Sequence, residues 1–150
     1  IETAGNGSDS VFSPVSFKLG ANVENLRLLG TDAVDGTGNG LSNSLAGNAA
    51  ANVLDGAGGN DLIGGGSGAD VMRGGFGNDR LLFDFEDLEA PGLRLDGGRG
   101  SDTLEFSFGA DQVLDLTTID DDRAAGIEIR LQIGMAARLA SAPYWLLLWK

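Results

Sequence analysis

Apolar side chains recur at every ninth residue through the middle of the chain. Aligned from Gly38, five consecutive nonapeptides carry leucine, isoleucine or methionine at the eighth position, and a sixth nonapeptide begins at Gly97. The eighth-position residues are Leu45, Leu54, Ile63, Met72, Leu81 and Leu104. An α-helix has about 3.6 residues per turn, so this period does not return apolar residues to one helical face. The pattern predicts short β-strands instead, each centred on one buried side chain.

The polar part of each nonapeptide predicts the turn that joins two strands. Its first five residues are rich in glycine, and its sixth is asparagine or aspartate. If turns alternate between two sides, two nonapeptides close one coil of eighteen residues, with the eighth-position side chains pointing inward between two parallel sheets. We therefore predict an all-β fold, a parallel β-roll (a two-sheet right-handed β-solenoid) with irregular β flanks.

The sixth-position residues are expected to stack on neighbouring coils. Strands of one sheet lie about 4.8 Å apart. This spacing places Asp61 beside Asp79 on one side of the roll and Asn52 beside Asp70 on the other. Stacked carboxylates repel each other unless a cation lies between them.

Composition favours calcium as that cation. The chain has no histidine and no cysteine, which removes the usual ligands of zinc and copper, the imidazole base of hydrolytic triads and any disulfide framework. Its net charge of −12 argues against nucleic acid as a partner. Calcium requires about six to eight oxygen ligands. Because two aspartates supply only part of this number, backbone carbonyls of the 25 glycines are expected to complete the set.

The predicted Ca²⁺ site consists of sixth-position side chains and turn glycines. They are Asn52, Gly56, Gly59, Asp61, Gly65, Gly66, Gly68, Asp70, Gly74, Gly75, Gly77, Asp79, Gly98, Gly100 and Asp102. One buried side chain per nonapeptide contributes little against the entropy of ordering the backbone. We therefore expect this segment to fold as calcium binds. No catalytic residue is predicted, and the chain is not expected to be an enzyme.

The pattern GGxGxDxUx, complete from Gly65, from Gly74 and from Gly97, resembles the RTX or haemolysin-type calcium-binding repeat. The resemblance implies a parallel β-roll that binds calcium between stacked turns, with Asp61, Asp70, Asp79 and Asp102 matching the calcium-binding aspartate of the family. Asn43 and Asn52 depart from that aspartate, and Leu41 and Ala50 replace the fourth-position glycine. The first two turns are therefore expected to bind weakly or to serve as a cap.

The same resemblance implies a function and a location. It favours a calcium-binding structural or interaction module of a secreted bacterial protein, adhesin-like or toxin-like. Such a module folds outside a Gram-negative cell after type I secretion, and its partners are calcium and neighbouring domains of a larger protein. The alternative is a non-catalytic accessory or secretion region of a secreted hydrolase (protease or lipase) or of a polysaccharide-modifying enzyme. The gene segment upstream would discriminate between the two.

Three regions are expected: an N-terminal β flank at 1–37, the calcium-binding roll at 38–105 with an irregular coil at 83–96, and a C-terminal β cap and apolar tail at 106–150. The flank is interpreted as an irregular continuation of the solenoid in preference to a separate domain. If the irregular coil, which contains a five-residue insertion, still makes one coil, Asp102 lies on the same side as Asp79. Asp87 could then approach the turn of Asp70.

The apolar tail from residue 131 has three open interpretations: a cap over the end of the roll, a secretion signal, or a product of an altered reading frame. Its longest apolar run, from Tyr144 to Trp149, is far shorter than the roughly 20 residues that span a bilayer. No transmembrane segment is therefore expected.

Overall fold

The chain folds entirely into short β-strands and turns over the residues that the structure describes. The computed structural model describes residues 7–84, 92–107 and 127–132. Its strands are β1 (Ser10–Ser13), β2 (Phe17–Lys18), β3 (Asn25–Leu28), β4 (Gly36–Thr37), β5 (Ser44–Ala46), β6 (Val53–Asp55), β7 (Leu62–Gly64), β8 (Val71–Phe76), β9 (Arg80–Asp84), β10 (Arg94–Arg99), β11 (Asp102–Ser107) and β12 (Ile127–Gln132).

The strands form two sheets, and every pairing is parallel. The seven-stranded sheet has the order β1-β3-β5-β7-β9-β11-β12, and the five-stranded sheet has the order β10-β8-β6-β4-β2. Up to β11, consecutive strands alternate between the sheets, so two nonapeptides complete one coil. This topology confirms the predicted parallel β-roll.

The eighth-position side chains form one column between the sheets. In β5, β6 and β7 the central residue is buried and both neighbours are half-buried, because adjacent side chains of a strand point to opposite faces. Ile63 pairs with Leu45 and Leu81 in the seven-stranded sheet, and Leu54 pairs with Met72 in the five-stranded sheet. All five side chains belong to one apolar cluster and are fully buried.

Strands formed upstream of the first nonapeptide, within residues 7–37, lie in the same two sheets. Strand β3 pairs with β5, with Asn25 opposite Ser44, and β1 pairs with β3, with Ser10 opposite Asn25. Leu26 and Leu28 of β3 are buried in the apolar cluster of the roll. The strands and turns of this flank therefore continue the solenoid, although the offsets between paired residues vary with the length of the turns.

The five-residue insertion lengthens one coil and leaves the stacking intact. Strand β10 pairs with β8, with Arg94 opposite Val71, and β11 pairs with β9, with Leu104 opposite Leu81. The turns on both sides of the insertion therefore stay in register. Asp87 lies outside the described residues, so its expected approach to Asp70 stays a prediction.

Beyond the last nonapeptide, β12 adds to the seven-stranded sheet, with Ile127 opposite Asp102. The tail from residue 133 lies outside the described residues. The division of the chain at residues 37 and 105 also stays a prediction. No helix in the described ranges is long and apolar enough to cross a membrane.

Candidate metal centre

The turns form two columns, one along each side of the roll. We call the turns that lead into β5, β7, β9 and β11 the first flank, and those that lead into β6 and β8 the second flank. Each turn ends on its sixth-position residue, and these residues are at most 3% exposed. They are Asn43, Asp61, Asp79 and Asp102 on the first flank, and Asn52 and Asp70 on the second. The structure therefore buries two columns of polar side chains beside the apolar core.

On the first flank, one carboxylate oxygen of each aspartate is hydrogen-bonded to the preceding coil. The backbone N–H of Asn43 donates to Oδ1 of Asp61 at 2.7 Å. The N–H of Asp61 donates to Oδ1 of Asp79 at 2.8 Å, and the N–H of Asp79 donates to Oδ1 of Asp102 at 2.9 Å. The predicted stacking of Asp61 on Asp79 is confirmed, and Asp102 continues the column as the single-coil interpretation of the insertion predicts.

The other oxygen of these aspartates has no hydrogen-bond partner. Oδ2 of Asp61, of Asp79 and of Asp102 is buried and accepts no hydrogen bond from the described part of the chain. A buried oxygen without a donor costs about 1 to 3 kcal/mol, and more if it is charged. Three such oxygens in one column are therefore candidate ligands for a cation, and the described residues supply no hydrogen-bond donor to them.

Backbone carbonyl oxygens approach the same places, because each of these turns begins with glycine. A Cβ atom on Gly56 would lie under 3.0 Å from both Oδ2 of Asp61 and the carbonyl oxygen of Gly74. A Cβ atom on Gly74 would meet Oδ2 of Asp79 and the carbonyl oxygen of Gly97 in the same way. Oδ2 of Asp61, like Oδ2 of Asp79, thus lies near a carbonyl oxygen of the following coil. One Ca²⁺ can bind both, since its ligands lie about 2.3 to 2.6 Å from the ion.

Burial and mutual repulsion disfavour the ionised carboxylates in the protein alone. Burial raises the pKa of Asp61 to about 7; the charges of Asp79 and Asp55 raise it further, and the N–H of Asn43 opposes the rise. Burial also raises the pKa of Asp79, together with the charge of Asp102. A cation between the coils would favour the ionised forms, so these raised pKa values are consistent with a metal site.

The available donors suit calcium. Among the residues that the structure describes, no three acidic side chains come together. A site between two coils would therefore have carboxylate oxygens from two aspartates and otherwise backbone carbonyls. Calcium accepts such a mixed, flexible oxygen set, whereas magnesium demands near-octahedral geometry and keeps several waters. The residues present therefore fit Ca²⁺.

The second flank has a different sequence of side chains. The N–H of Asn52 donates to Oδ1 of Asp70 at 2.8 Å, which confirms that these two residues stack. Beyond Asp70 the column continues with Leu93, because Arg94 is opposite Val71. In the described turns, consecutive aspartates therefore occur on the first flank alone.

Most of the other predicted glycines set the distance between coils. A Cβ atom on any of them would collide with the backbone of the preceding coil, and all have positive φ angles. They are Gly59, Gly66, Gly68, Gly75, Gly77, Gly98 and Gly100. Gly65 differs, since its Cβ would meet the carboxylate of Asp70. The predicted set thus contains glycines beside carboxylates and glycines that permit close stacking.

The sequence interpretation missed a second polar ladder on the exposed edge of the first flank. The N–H of Asn60 donates to Oγ of Ser42 at 3.2 Å, and the N–H of Asn78 donates to Oδ1 of Asn60 at 2.8 Å. The N–H of Ser101 donates to Oδ1 of Asn78 at 2.9 Å. The recurrence of serine or asparagine at the fifth position was the available signal. These side chains bond the following coil and the aspartates bond the preceding one, so the coils are tied in both directions.

The described residues form a parallel roll of repeated coils with aspartates buried and stacked along glycine-rich turns, an arrangement that can hold a metal ion between coils. The RTX calcium-binding nonapeptide repeat matches residues 37–72, 46–81 and 94–113, in four copies. Over these residues the chain is therefore similar to the RTX calcium-binding repeats, and its repeats indicate a calcium-binding module. Comparisons with curated proteins and with solved structures give no match.

Proposed function

We propose that the chain is a non-catalytic structural module of a secreted bacterial protein, and that calcium binding between its coils drives its folding. RTX repeats are typical of secreted bacterial proteins, which supports this context. The module would hold or present a neighbouring domain of a larger protein. The rigidity of the module would come from its parallel sheets, which would become stable when calcium ions bridge the turns of neighbouring coils.

The column of buried, unpartnered oxygens on Asp61, Asp79 and Asp102 carries this proposal. One ion would lie between the coils of Asp61 and Asp79, and another between those of Asp79 and Asp102. The carbonyl oxygens of Gly74 and Gly97 would be further ligands. Bound calcium supplies the positive charge that neutralises the stacked carboxylates and replaces their lost hydration.

Folding would depend on the charge of the bound cation because of what the nonapeptides bury. Each nonapeptide buries one large apolar side chain, such as Ile63 or Leu81, and its sixth-position asparagine or aspartate is buried with it. Without a cation, the repulsion between Asp61 and Asp79 and the cost of their burial oppose stacking of the coils. With a cation, the same side chains join the coils, so binding and folding become one transition.

Circular dichroism of the chain in chelator and in calcium tests the proposal. Sheet content should rise on addition of calcium, whereas magnesium at equal concentration should have little effect. The triple variant Asp61→Asn, Asp79→Asn, Asp102→Asn should lose the calcium response. Asp32→Asn removes one charge at an exposed residue and should retain it. Equal sheet content in chelator and in millimolar calcium would refute the proposal.

The calcium concentration at the folding midpoint tests the proposed location. Extracellular calcium modules bind with dissociation constants of about 10⁻⁴ to 10⁻³ M, well above cytosolic calcium. A midpoint in this range would keep the coils of Asp61, Asp79 and Asp102 unfolded inside the cell and folded outside. A submicromolar midpoint would contradict folding outside the cell while leaving calcium binding intact.

A further inference from the structure

The six turns of the nonapeptides are of two kinds, and the difference lies at the second position. In the turns of residues 38–43 and 47–52, which we call closed turns, the second-position N–H donates to the sixth-position side chain of the same turn. Asn39 donates to Oδ1 of Asn43 at 2.8 Å, and Asn48 donates to Oδ1 of Asn52 at 2.9 Å. A closed turn therefore satisfies its own sixth-position oxygen.

The turns of residues 56–61, 65–70, 74–79 and 97–102, which we call open turns, have a left-handed residue at the second position. These residues are Ala57 (φ 71°), Gly66 (φ 87°), Gly75 (φ 104°) and Gly98 (φ 89°). The N–H of Ala57 donates outward to Oδ1 of Asp55 at 2.9 Å, and that of Gly98 donates to Oδ1 of Asp96 at 3.0 Å. In these two turns the second-position N–H therefore bonds an exposed-side aspartate of the preceding strand and not the buried sixth-position carboxylate. Asn39 and Asn48 do not have positive φ angles.

The amide nitrogens of the closed turns bond the carbonyl oxygens of the preceding coil. Nδ2 of Asn52 donates to the carbonyl oxygen of Val34 at 2.7 Å. Nδ2 of Asn43 donates to the carbonyl oxygens of Val23 at 3.2 Å and Glu24 at 3.4 Å. In each closed turn a neutral NH₂ group therefore joins two coils, which is the task that the proposed function gives to a cation in the open turns.

The second-position side chains add further hydrogen bonds, which hold a fourth-position residue that is not glycine. Oδ1 of Asn39 accepts from the N–H of Leu41 at 2.8 Å, and Oδ1 of Asn48 accepts from the N–H of Ala50 at 2.9 Å. These bonds span two residues, as in an Asx turn. Nδ2 of Asn39 also donates to the carbonyl oxygen of Gly20 at 2.8 Å. The closed turns are therefore folded by amide hydrogen bonds and contain no unpaired carboxylate.

We propose that the closed turns take no calcium and that residues 7–55 form a calcium-independent platform for the coils that follow. This inference rests on the proposed function, because it supposes that the open turns require the ion. Leu26, Leu28, Leu45 and Leu54 give the platform its own buried core. The platform also presents the N–H of Asn43, which donates to the first aspartate of the first flank, so calcium assembles the open turns on a surface that is already folded.

Amide hydrogen exchange of the whole chain, followed by NMR, tests the platform. The N–H of Ser44 reports on it by donating to the carbonyl oxygen of Glu24 at 2.8 Å. The N–H of Arg80 donates to the carbonyl of Asp61 at 2.8 Å and reports on the open turns. In metal-free buffer, exchange at Ser44 should be at least about tenfold slower than at Arg80, relative to the intrinsic rates. In saturating calcium, both should be protected.

Similar loss of protection at Ser44 and Arg80 in metal-free buffer, with both protected in calcium, would overturn the platform and leave the proposed function intact. If calcium did not change protection at Arg80, the proposed function itself would fail.

The double variant Asn43→Asp, Asn52→Asp removes the amide donors and should abolish protection at Ser44 without calcium. Retained protection would contradict the role of these donors. Asn60→Asp makes the same chemical change at an exposed site in an open turn and should leave Ser44 unchanged.

Discussion

The backbone N–H of Asp79 donates to Oδ1 of Asp102 at 2.9 Å, although 23 residues separate them. The preceding coil has the same bond between Asp61 and Asp79 across 18 residues. The insertion therefore leaves the column of aspartates continuous. As a result, Asp79 has an aspartate on both neighbouring coils.

This position makes Asp79 the most sensitive member of the column. Asp79→Ala should raise the calcium concentration at the folding midpoint by more than about tenfold, which corresponds to about 1.4 kcal/mol. Asp102→Ala should raise it less, because Asp61 and Asp79 remain to share an ion. Calcium titrations followed by circular dichroism and by calorimetry measure both shifts, with Asp32→Ala as the surface control. Equal shifts for Asp79→Ala and Asp102→Ala would contradict the proposed ion positions.

A side chain added at Gly77 should prevent the close stacking of two coils. Its φ angle is 129°, and a Cβ atom there would collide with the carbonyl oxygen of Gly59 on the preceding coil. Gly77→Ala should reduce the free energy of unfolding in saturating calcium by more than about 2 kcal/mol, from backbone strain and overpacking together. The measurement is urea denaturation.

The matched control is Gly40→Ala, also in a first-flank turn. Gly40 does not have a positive φ angle, and a Cβ atom there would meet nothing within 4 Å. Its substitution should change stability by less than about 0.5 kcal/mol. A similar loss for both variants would mean that close stacking at Gly77 is not the cause.

Ala57 offers a gain in stability. It is exposed and has a φ angle of 71°, a conformation that costs a residue with a Cβ atom about 1 to 2 kcal/mol. Ala57→Gly removes this strain and adds a smaller entropic cost, so the free energy of unfolding in calcium should rise by about 0.5 to 1 kcal/mol. Ala51→Gly, at an exposed residue without a positive φ angle, should lower it. The same sign for both variants would show that strain at Ala57 is unimportant.

Acid should partly replace calcium. The pKa of Asp61 is about 7 in the fold against 3.8 for the free side chain, so between these values the folded state binds more protons than the unfolded state. The metal-free fold should therefore gain stability as the pH falls from 8 towards 4, and lose it as the pH rises through 7. Circular dichroism of the metal-free chain against pH measures the effect. Asp61→Asn should weaken the dependence of stability on pH. An unchanged pH dependence in that variant would mean that titration of other groups causes the effect.

The sequence alone determined the roll and the first neighbours in each column. Each nonapeptide has leucine, isoleucine or methionine at its eighth position and asparagine or aspartate at its sixth. These are local signals, because strand alternation and turn formation depend on adjacent residues. From them follow the two parallel sheets, the buried Ile63 and Leu81, and the stacking of Asp61 on Asp79. The insertion before Gly97 permitted only a conditional prediction, since the path of a longer coil depends on how it packs.

The tertiary structure decided which sixth-position side chains are left with an unpartnered oxygen. Asn43 and Asp61 hold the same position in their nonapeptides, yet Asn43 is bonded by the N–H of Asn39, whereas Oδ2 of Asp61 is buried without a donor. The difference depends on the side chain, since asparagine has an NH₂ group where aspartate has its second oxygen, on the φ angle of the second-position residue, and on the carbonyls of the neighbouring coil. The side chain can be read from the sequence, whereas the carbonyl oxygen of Gly74 approaches Gly56 from 18 residues away, and such packing between coils is not contained in a nine-residue pattern.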